Sequence, residues 1–391
     1  MCKAGPRLPR AGLCSKRCNL RANVAASAAA RFRGFFTLHD NAAGERCIVC
    51  YGPGNANISR NAIASGSHIQ AKRRFEMFAY GIRIACLLGL CLVSVDAVAQ
   101  RPSAESGLPT KSEQPLLVPP VSQGLPRAGR RVAVTPPEYA ATAVYHTIYL
   151  PQAWTADGEP LPIIFEYTGN RFPASGSTGE VKDAALGFGL SGGQYIWVAL
   201  PYINPQGTAN EVTWWGDQAA TIGYAKTNVP RIIERYNANP QAVFLCGFSR
   251  GAIGVNYLGL HDDEIARLWT AFIAHDHFDG VRQWNTDWGS PLTLYRQTAT
   301  QRLARVKGRP YWVSQNGDLA ATESFVRSAL EDVRSFRFDE VPVREILGDF
   351  PNQHALTGHT DRWPLLPSPN RDRIRNWMRQ IVDASRKRIQ E

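Results

Sequence analysis

The stretch "VFLCGFSRGAIG" at residues 243–254 decides how the rest of the chain is interpreted. An apolar run ends at Gly247, and Ser249 then stands between Gly247 and Gly251 in the pattern G-x-S-x-G. The residues before the motif are typical of a buried strand and those after it of a helix. A serine at such a junction lies on a strained turn that exposes its hydroxyl. Ser249 is therefore a candidate nucleophile; the alternative is a packed turn without catalysis.

The residues around Ser249 suit acyl transfer. Glycines two places before and after the serine are expected because neighbouring elements approach too closely for a Cβ atom. The backbone amide of Arg250, at the start of the predicted helix, should point at the oxyanion that forms during the reaction. A second donor is expected from the loop after "LPIIFEYTG" (161–169), where the amide of Thr168 is our candidate and Gly169 allows close backbone approach.

A serine nucleophile needs a base, and the base needs an acid that orients it. The expected chain order is Ser, Asp or Glu, then His. Asp318 in "SQNGDLAATESF" follows a predicted strand and is the predicted acid, unless it only caps the next helix; Asp276 and Asp279 are the fallback acids. The predicted base is His359 in "GHTDRW", with His354 as the alternative in the same loop.

Four further side chains are weaker candidates for a substrate pocket. Trp214 and Trp215 in "TWWGD" could stack on sugar or phenolic rings or could pack the rim of the domain. His275 and His277 have the i, i+2 spacing of a metal-binding strand, but we expect no metal. If either histidine were the base, it would precede the predicted acid Asp318 in the chain, which is the reverse of the expected order. They are predicted to line the acyl or leaving-group pocket or to cap the strand end.

Residues 77–99 have the pattern of a secretory signal peptide. Arg83 precedes an apolar run at 84–95, and the small residues Ala97 and Ala99 come directly before a cleavage position that follows Ala99. The run is shorter than the about 20 residues that span a bilayer; a buried core helix is the alternative. The pattern predicts export to the periplasm or beyond. Because it starts at Met77, residues 1–76 are interpreted as a mis-assigned extension or a disordered basic leader.

The positive charge of the chain is concentrated in this N-terminal part. The formal charge of the whole chain is +11. Residues 1–99 hold 14 Lys/Arg and 4 Asp/Glu, a net charge of +10, whereas residues 100–391 hold 30 Lys/Arg and 29 Asp/Glu, a net charge of +1. A nearly neutral mature chain argues against a nucleic-acid partner. Seven of the eight cysteines also precede residue 100, so Cys246 has no partner for an intramolecular disulfide in the exported chain.

From about residue 130 to 391 the chain is predicted to form one large domain. Residues 100–129 are rich in Pro, Ser and Gly and are predicted to be a disordered linker. Beyond them, apolar runs that predict strands alternate with helical patterns, which indicates a mostly parallel sheet with helices on both faces. The predicted strands are 145–151, 161–169, 194–203, 242–248, 268–274, 309–315 and 341–347, and the predicted helices 218–237, 249–261, 323–336 and 371–385.

Over residues 140–388 the chain resembles the α/β-hydrolase superfamily, through "GFSRGA", "SQNGD" and "GHTDRW". The nearer resemblance is to secreted bacterial esterases of the feruloyl-esterase and polyhydroxyalkanoate-depolymerase type, in which a "YLP" strand, an "EYTGN"-like strand and the G-x-S-x-G turn occur in this order. The resemblance implies an α/β fold with about eight mostly parallel strands. It also implies a cofactor-free Ser-His-Asp mechanism on small-molecule or polysaccharide-linked carboxylic esters.

Two other functions stay open from the sequence. The oxyanion loop lacks the His-Gly-Gly of many lipases, which leaves the second oxyanion donor unassigned. A non-catalytic binding protein on the same fold and a serine peptidase of this fold are the alternatives to an esterase. No nucleic-acid partner and no stable membrane insertion are expected.

Overall fold

The computed structural model describes residues 36–40, 46–50, 114–173, 176–348 and 358–390. The chain divides into two compact units, Met1–Ala99 and Gln100–Glu391. In the first unit the described residues form an antiparallel pair, β1 (Phe36–Asp40) and β2 (Arg46–Cys50). The predicted signal peptide and His354 lie outside the described residues.

The second unit is built on one nine-stranded sheet, in the order β11-β10-β9-β8-β6-β7-β5-β4-β3. Only β5 runs antiparallel to its neighbours, and all other pairs are parallel. The strands are β3 (Val121–Ser122), β4 (Arg131–Val134), β5 (His146–Tyr149), β6 (Leu161–Tyr167), β7 (Ile196–Leu200), β8 (Ala238–Phe248), β9 (Ala271–His275), β10 (Tyr311–Gln315) and β11 (Phe336–Glu340).

Helices cover both faces of this sheet. Apolar residues of α2, α3, α5 and α6 join the core on one face, and those of α1, α7 and α8 join the core on the other. The helices are α1 (Leu186–Ser191), α2 (Gln218–Arg235), α3 (Arg250–Tyr257), α4 (Asp263–Ala266), α5 (Leu292–Leu303), α6 (Ala320–Ala329), α7 (Val343–Leu347) and α8 (Pro369–Gln390). In the described part of the chain, no helix combines the length and the apolar character needed to cross a membrane.

Residues 242–248 of strand β8 lie at the centre of the sheet, and their burial on both faces explains why this part of the strand has no polar side chain. Val243 and Leu245 belong to the core on one face, whereas Phe244 and Cys246 belong to the core on the other. Side chains of a strand alternate between faces, so a strand covered on both sides has no polar position. The predicted α/β-hydrolase fold is confirmed: eight strands of a mostly parallel sheet carry the serine turn at the end of a central strand, and β3 adds a short ninth strand.

Two predicted elements near the C-terminus are wrong in position. Residues 341–347, predicted as a strand, contain helix α7, and the last strand is β11, just before them. Pro342 has no amide for a sheet ladder, which excludes it from a paired strand interior. The helix predicted over 323–336 ends with α6 at Ala329, and Phe336 begins β11. Strand β4 and helices α1 and α5 were not predicted.

The disordered linker predicted at 100–129 is wrong for its described part, residues 114–129. The amide of Leu116 donates to the carbonyl of Leu365 at 2.8 Å, and Leu116 and Val118 pack against the core. Strand β3 pairs with β4. The folded domain therefore includes residues 114–129, because the Pro-rich composition of this segment hides a short edge strand and two apolar side chains that pack against the core.

Candidate active site

Ser249 occupies the sharp turn between β8 and α3. Its backbone lies at φ 55° and ψ −118°, in a region that costs a non-glycine residue about 1–3 kcal/mol. The turn is held by hydrogen bonds on both sides: the Ser249 amide donates to the carbonyl of His275 at 3.0 Å, and the Ile253 amide donates to the carbonyl of Ser249 at 3.2 Å. This strain is maintained only because the surrounding strands and helix fix the turn, as the G-x-S-x-G pattern predicts.

The two glycines of the motif are required by close backbone contacts. A Cβ atom added at Gly247 would lie 2.1 Å from the carbonyl oxygen of Gly251. One added at Gly251 would lie 1.9 Å from the carbonyl oxygen of Tyr167, at the end of β6. Since both obstacles are backbone atoms, neither contact can be relieved by moving a side chain. The steric reason expected for these glycines is thus seen directly.

His359 links Ser249 to a carboxylate. Its Nε2 atom lies 3.0 Å from Ser249 Oγ, and its Nδ1 atom lies 2.7 Å from Asp276 Oδ2. An ionised carboxylate can only accept hydrogen bonds, so Nδ1 carries the proton and Nε2 is left as an acceptor for the serine O–H. Ser249, His359 and Asp276 therefore form one hydrogen-bonded chain, with the serine hydroxyl directed at His359 Nε2.

Asp276 is the first residue after β9, and its backbone has a positive φ of 69°. Its Oδ1 atom accepts the amide of Asn316 at 2.7 Å, which leaves Oδ2 for His359. Burial raises the pKa of Asp276, but the adjacent His275 and the hydrogen bonds from His359 and Asn316 lower it by more, to below its usual value. The carboxylate is consequently ionised at neutral pH.

The structure does not bring Asp318 to His359, contrary to our prediction. Asp318 is exposed, and its Oδ1 accepts the amide of Ala320 at 2.6 Å, so it caps the start of α6. The fallback Asp279 is committed to a bidentate pair with Arg302, at 2.8 and 3.0 Å. Strands β9 and β10 are neighbours and end at the same edge, so an acid after either could reach the histidine. The sequence alone does not distinguish them.

The loop after β6 touches the serine turn. A Cβ atom added at Gly169 would lie 3.4 Å from Ser249 Cβ and 2.8 Å from the Phe248 ring. The adjacent Thr168, the predicted oxyanion donor, is buried, and its hydroxyl donates to the carbonyl of Gly179 at 3.2 Å. The amide of Arg250 lies at the first position of α3, where a helix has no internal partner for it. Both predicted donor segments thus adjoin the serine.

Replacing Gly169 by alanine should slow ester hydrolysis by about 10-fold or more, because the new methyl group pushes the loop away from the Ser249 turn. The matched control is Gly223→Ala, in helix α2, where an added Cβ meets nothing within 4 Å. That change should leave kcat unaltered and raise the melting temperature, since alanine favours a helix over glycine. Equal kcat values for the two variants would contradict the importance of this contact.

The two other predicted histidines differ in their surroundings. His275 is fully buried, and its Nδ1 atom lies 3.0 Å from Ser314 Oγ, so it supports the end of β9 instead of lining a pocket. The His277 ring lies 5.3 Å from the ring of His359 and 5.1 Å from that of Trp284. His277 also lines a cavity with His359. Among the described residues, no three His, Cys, Asp or Glu side chains are grouped so as to hold a metal ion.

An aromatic cluster borders the site, formed by Trp214, Trp215, Tyr257, Trp284 and Trp288. Trp215 is buried and stacks on Tyr257 at 5.0 Å, so it packs the rim, as in the structural alternative for this residue. Trp214 is partly exposed and lies 5.2 Å from Trp284, which contacts His277. Trp284 and Trp288 were not predicted; their spacing in the loop "VRQWNTDWG" after β9 is the signal that could have indicated them.

Two cavities lie near the candidate triad. One of about 230 Å³ is lined by Thr168 and Gly169 of the loop after β6, by Phe248, and by Arg362 from the segment after His359. The other, of about 340 Å³, is lined by groups from the ends of β9 and β10 that include His277 and Asn316, and by His359. Open space therefore adjoins both Phe248, next to the candidate nucleophile, and His359, the candidate base.

The acidic side of the pH dependence of kcat/KM should not depend on His277. Burial, reinforced by His359, lowers the pKa of His277 to about 3. A histidine is neutral above its pKa, so His277 carries no charge between about pH 5 and 9. Profiles of kcat/KM for the wild type and His277→Gln should therefore share the same acidic limb; a limb lost in the variant would contradict this.

Comparisons with known proteins add fold-level similarities only. No protein-family profile matches the sequence, and no curated protein matches it. Solved structures that are similar include a feruloyl esterase module from Clostridium thermocellum complexed with sinapinate (12% identity, 66% of this chain and 95% of that chain, TM-score 0.37). A sugar hydrolase from Lactococcus lactis is also similar (11% identity, 66% of this chain and 100% of that chain, TM-score 0.43). So is a fungal esterase from Rhizomucor miehei (14% identity, 68% of this chain and 86% of that chain, TM-score 0.41).

Proposed function

We propose that this chain is a serine hydrolase that cleaves carboxylic esters through an acyl-enzyme. The observation that carries the proposal is the hydrogen-bonded chain Ser249–His359–Asp276 on a strained strand–helix turn. A structural serine needs neither a positive φ nor a neutral imidazole at 3.0 Å from its hydroxyl. Such a pairing is how a weak alcohol nucleophile becomes reactive near neutral pH.

Each group has one role in the proposed reaction. Ser249 Oγ attacks the ester carbonyl carbon while His359 Nε2 takes its proton, and the carbonyl oxygen becomes an oxyanion that the Arg250 amide stabilises. His359 then donates that proton to the departing alcohol oxygen, which leaves an acyl group on Ser249. Water attacks the acyl carbon, with His359 again as base, and the free serine and an acid result. Asp276 stays ionised and holds the imidazole in the productive tautomer.

The substrate that fits best is an ester with a sugar or phenolic portion. The partly exposed Trp214 and Trp284 lie 5.2 Å apart, and Trp284 lies 5.1 Å from His277, which lines a cavity with His359. Tryptophan side chains bind planar rings and the apolar faces of sugars, while polar groups around them fix orientation. The resemblance to secreted feruloyl-type esterases points to the same class of substrate.

An active-site titration tests the proposed function. Rapid mixing with 4-nitrophenyl acetate should release a burst of one 4-nitrophenol per chain, followed by slower turnover, as acylation outpaces deacylation. A folded protein that neither shows a burst nor turns over the ester would contradict the proposal and favour a binding protein on this fold. Faster turnover of a matched peptide anilide than of the ester would identify a peptidase.

We also propose that the chain is exported, on the basis of the signal-peptide pattern at 77–99. Cleavage after Ala99 leaves Gln100 as the first residue of the mature protein. Expression in a bacterium, followed by mass analysis of the periplasmic fraction, should identify that N-terminus. A chain recovered only from the cytoplasm with residues 77–99 intact would contradict export.

A further inference from the structure

The side chain of Arg250, next to the candidate nucleophile, is buried without a carboxylate partner. It is 1% exposed, and its guanidinium lies 4.0 Å from the centroid of the Tyr202 ring. No ion pair joins Arg250 to a carboxylate of the described residues. Burial lowers its pKa to about 10, so the group is still charged at neutral pH. A buried charge is costly, and its environment must compensate it.

The compensation consists of backbone carbonyls from three segments that surround the serine turn. The guanidinium donates to five carbonyl oxygens, at distances from 2.6 to 3.4 Å: those of Thr168, Gly169, Gly179, Glu211 and Trp214. Two belong to the loop after β6, one to the glycine-rich segment that lines the smaller cavity, and two to the segment that carries Trp214. Tyr202 assists, because its hydroxyl donates to the Thr168 carbonyl at 2.8 Å.

These contacts fix which amides of the loop can face the serine. In a trans peptide the carbonyl of one residue and the amide of the next point in opposite directions. Since the carbonyls of Thr168 and Gly169 are turned toward the Arg250 guanidinium, the amides of Gly169 and Asn170 are turned away from it. Neither amide donates to any partner among the described residues, and Gly169 contacts the Ser249 turn.

The amide of Thr168, the second oxyanion donor expected from the sequence, lies one residue earlier in the same loop, and its assignment stays a prediction.

We infer that Arg250 serves the oxyanion site twice: its backbone amide is one donor, and its guanidinium is a positioning group that orients Gly169 and Asn170 to supply the second. The inference rests on the proposed function. Lysine cannot replace this group, because an ammonium has no planar fork that reaches carbonyls in several directions at once. The guanidinium acts through the loop and does not touch the substrate.

The test compares Arg250→Lys with a matched arginine at the other end of the sheet. Arg309, just before β10, likewise donates to backbone carbonyls, those of Val306, Ala266, Trp269 and Arg305, and lies 4.9 Å from the centroid of the Phe272 ring. Arg250→Lys should lower kcat by about 10²-fold, the loss typical of one oxyanion donor, at unchanged KM. Arg309→Lys should lower the melting temperature and leave kcat unchanged.

A second readout separates positioning from general stability. A trifluoromethyl ketone forms a tetrahedral oxyanion adduct with the serine, so its inhibition constant for Arg250→Lys should weaken by the same factor as kcat falls. Tyr202→Phe keeps the Arg250 charge and loses one hydrogen bond to the Thr168 carbonyl, so it should lower kcat and weaken inhibition by a smaller factor. If Arg250→Lys does not fold, Tyr202→Phe tests the inference in its place.

Wild-type kcat and inhibitor affinity in a folded Arg250→Lys, or in Tyr202→Phe if the lysine variant is unfolded, would overturn the inference. That result leaves the proposed function standing whenever the wild type shows its burst. A folded wild type that neither shows a burst nor turns over the ester would refute the proposed function itself, so the two failures are distinguishable.

Discussion

Replacing His359 by alanine is expected to lower kcat for an activated ester by about 10⁶-fold, the loss typical of removing the base of a serine triad. The reason is geometric: among the described residues, His359 is the side chain that contacts both Ser249 Oγ, at 3.0 Å, and Asp276 Oδ2, at 2.7 Å. Without it, the serine proton has no acceptor among those residues. Steady-state hydrolysis of 4-nitrophenyl acetate measures the loss, and circular dichroism confirms that the variant is folded.

The matched control is His354→Ala, five residues earlier in the chain. His354 is the alternative base that the sequence analysis left open. Because His359 already contacts Ser249 and Asp276, we expect His354→Ala to have wild-type kcat. The reverse pattern, in which His354→Ala is inactive and His359→Ala retains activity, would contradict the assignment of the base. Comparable partial losses in both variants would contradict it as well.

Replacing Asp276 by asparagine is expected to lower kcat by about 10⁴-fold. The side-chain amide of asparagine can donate to His359 Nδ1, which then holds the wrong tautomer, with its proton on Nε2 facing the serine. The change is nearly isosteric, and one oxygen can still accept the amide of Asn316. The variant should therefore fold, and its KM should stay near the wild-type value.

Asp318→Asn provides the comparison that decides between the two carboxylates. Asp318 is exposed and caps α6 through the amide of Ala320, a role that asparagine also fills at the start of a helix. Its kcat should equal that of the wild type. Loss of activity in Asp318→Asn together with an active Asp276→Asn would show that the acid follows β10, as the sequence first indicated.

The parts of the site that depend on local sequence were predictable. Ser249 and its glycines follow from a contiguous motif, because the close approach of Gly247 to Gly251 is a property of the turn itself. His359 lies in a short segment with only one competitor. The mostly parallel sheet with helices on both faces followed from the alternation of apolar runs with helical patterns, because that alternation reports burial along the chain. The α/β-hydrolase form of the sheet was implied by the family resemblance.

The choice of acid was not predictable, because it depends on which of two neighbouring strand ends faces the histidine. The positive φ of Asp276 turns its carboxylate toward His359, and nothing in the residue types announces that conformation. The role of Arg250 was hidden for a similar reason. Its five carbonyl partners come from segments up to 82 positions away in the sequence. Because every residue has a backbone carbonyl, residue types do not indicate which ones Arg250 binds.

Labelling by a fluorophosphonate tests most directly whether Ser249 is a nucleophile activated by His359, because this probe phosphonylates only an activated serine. The mature chain from Gln100 should react with one equivalent of the probe, and mass analysis of its peptides should locate the adduct at Ser249. Ser249→Ala and His359→Ala should not react at the same probe concentration. A folded wild-type chain that stays unlabelled, or an adduct at another residue, would contradict the account.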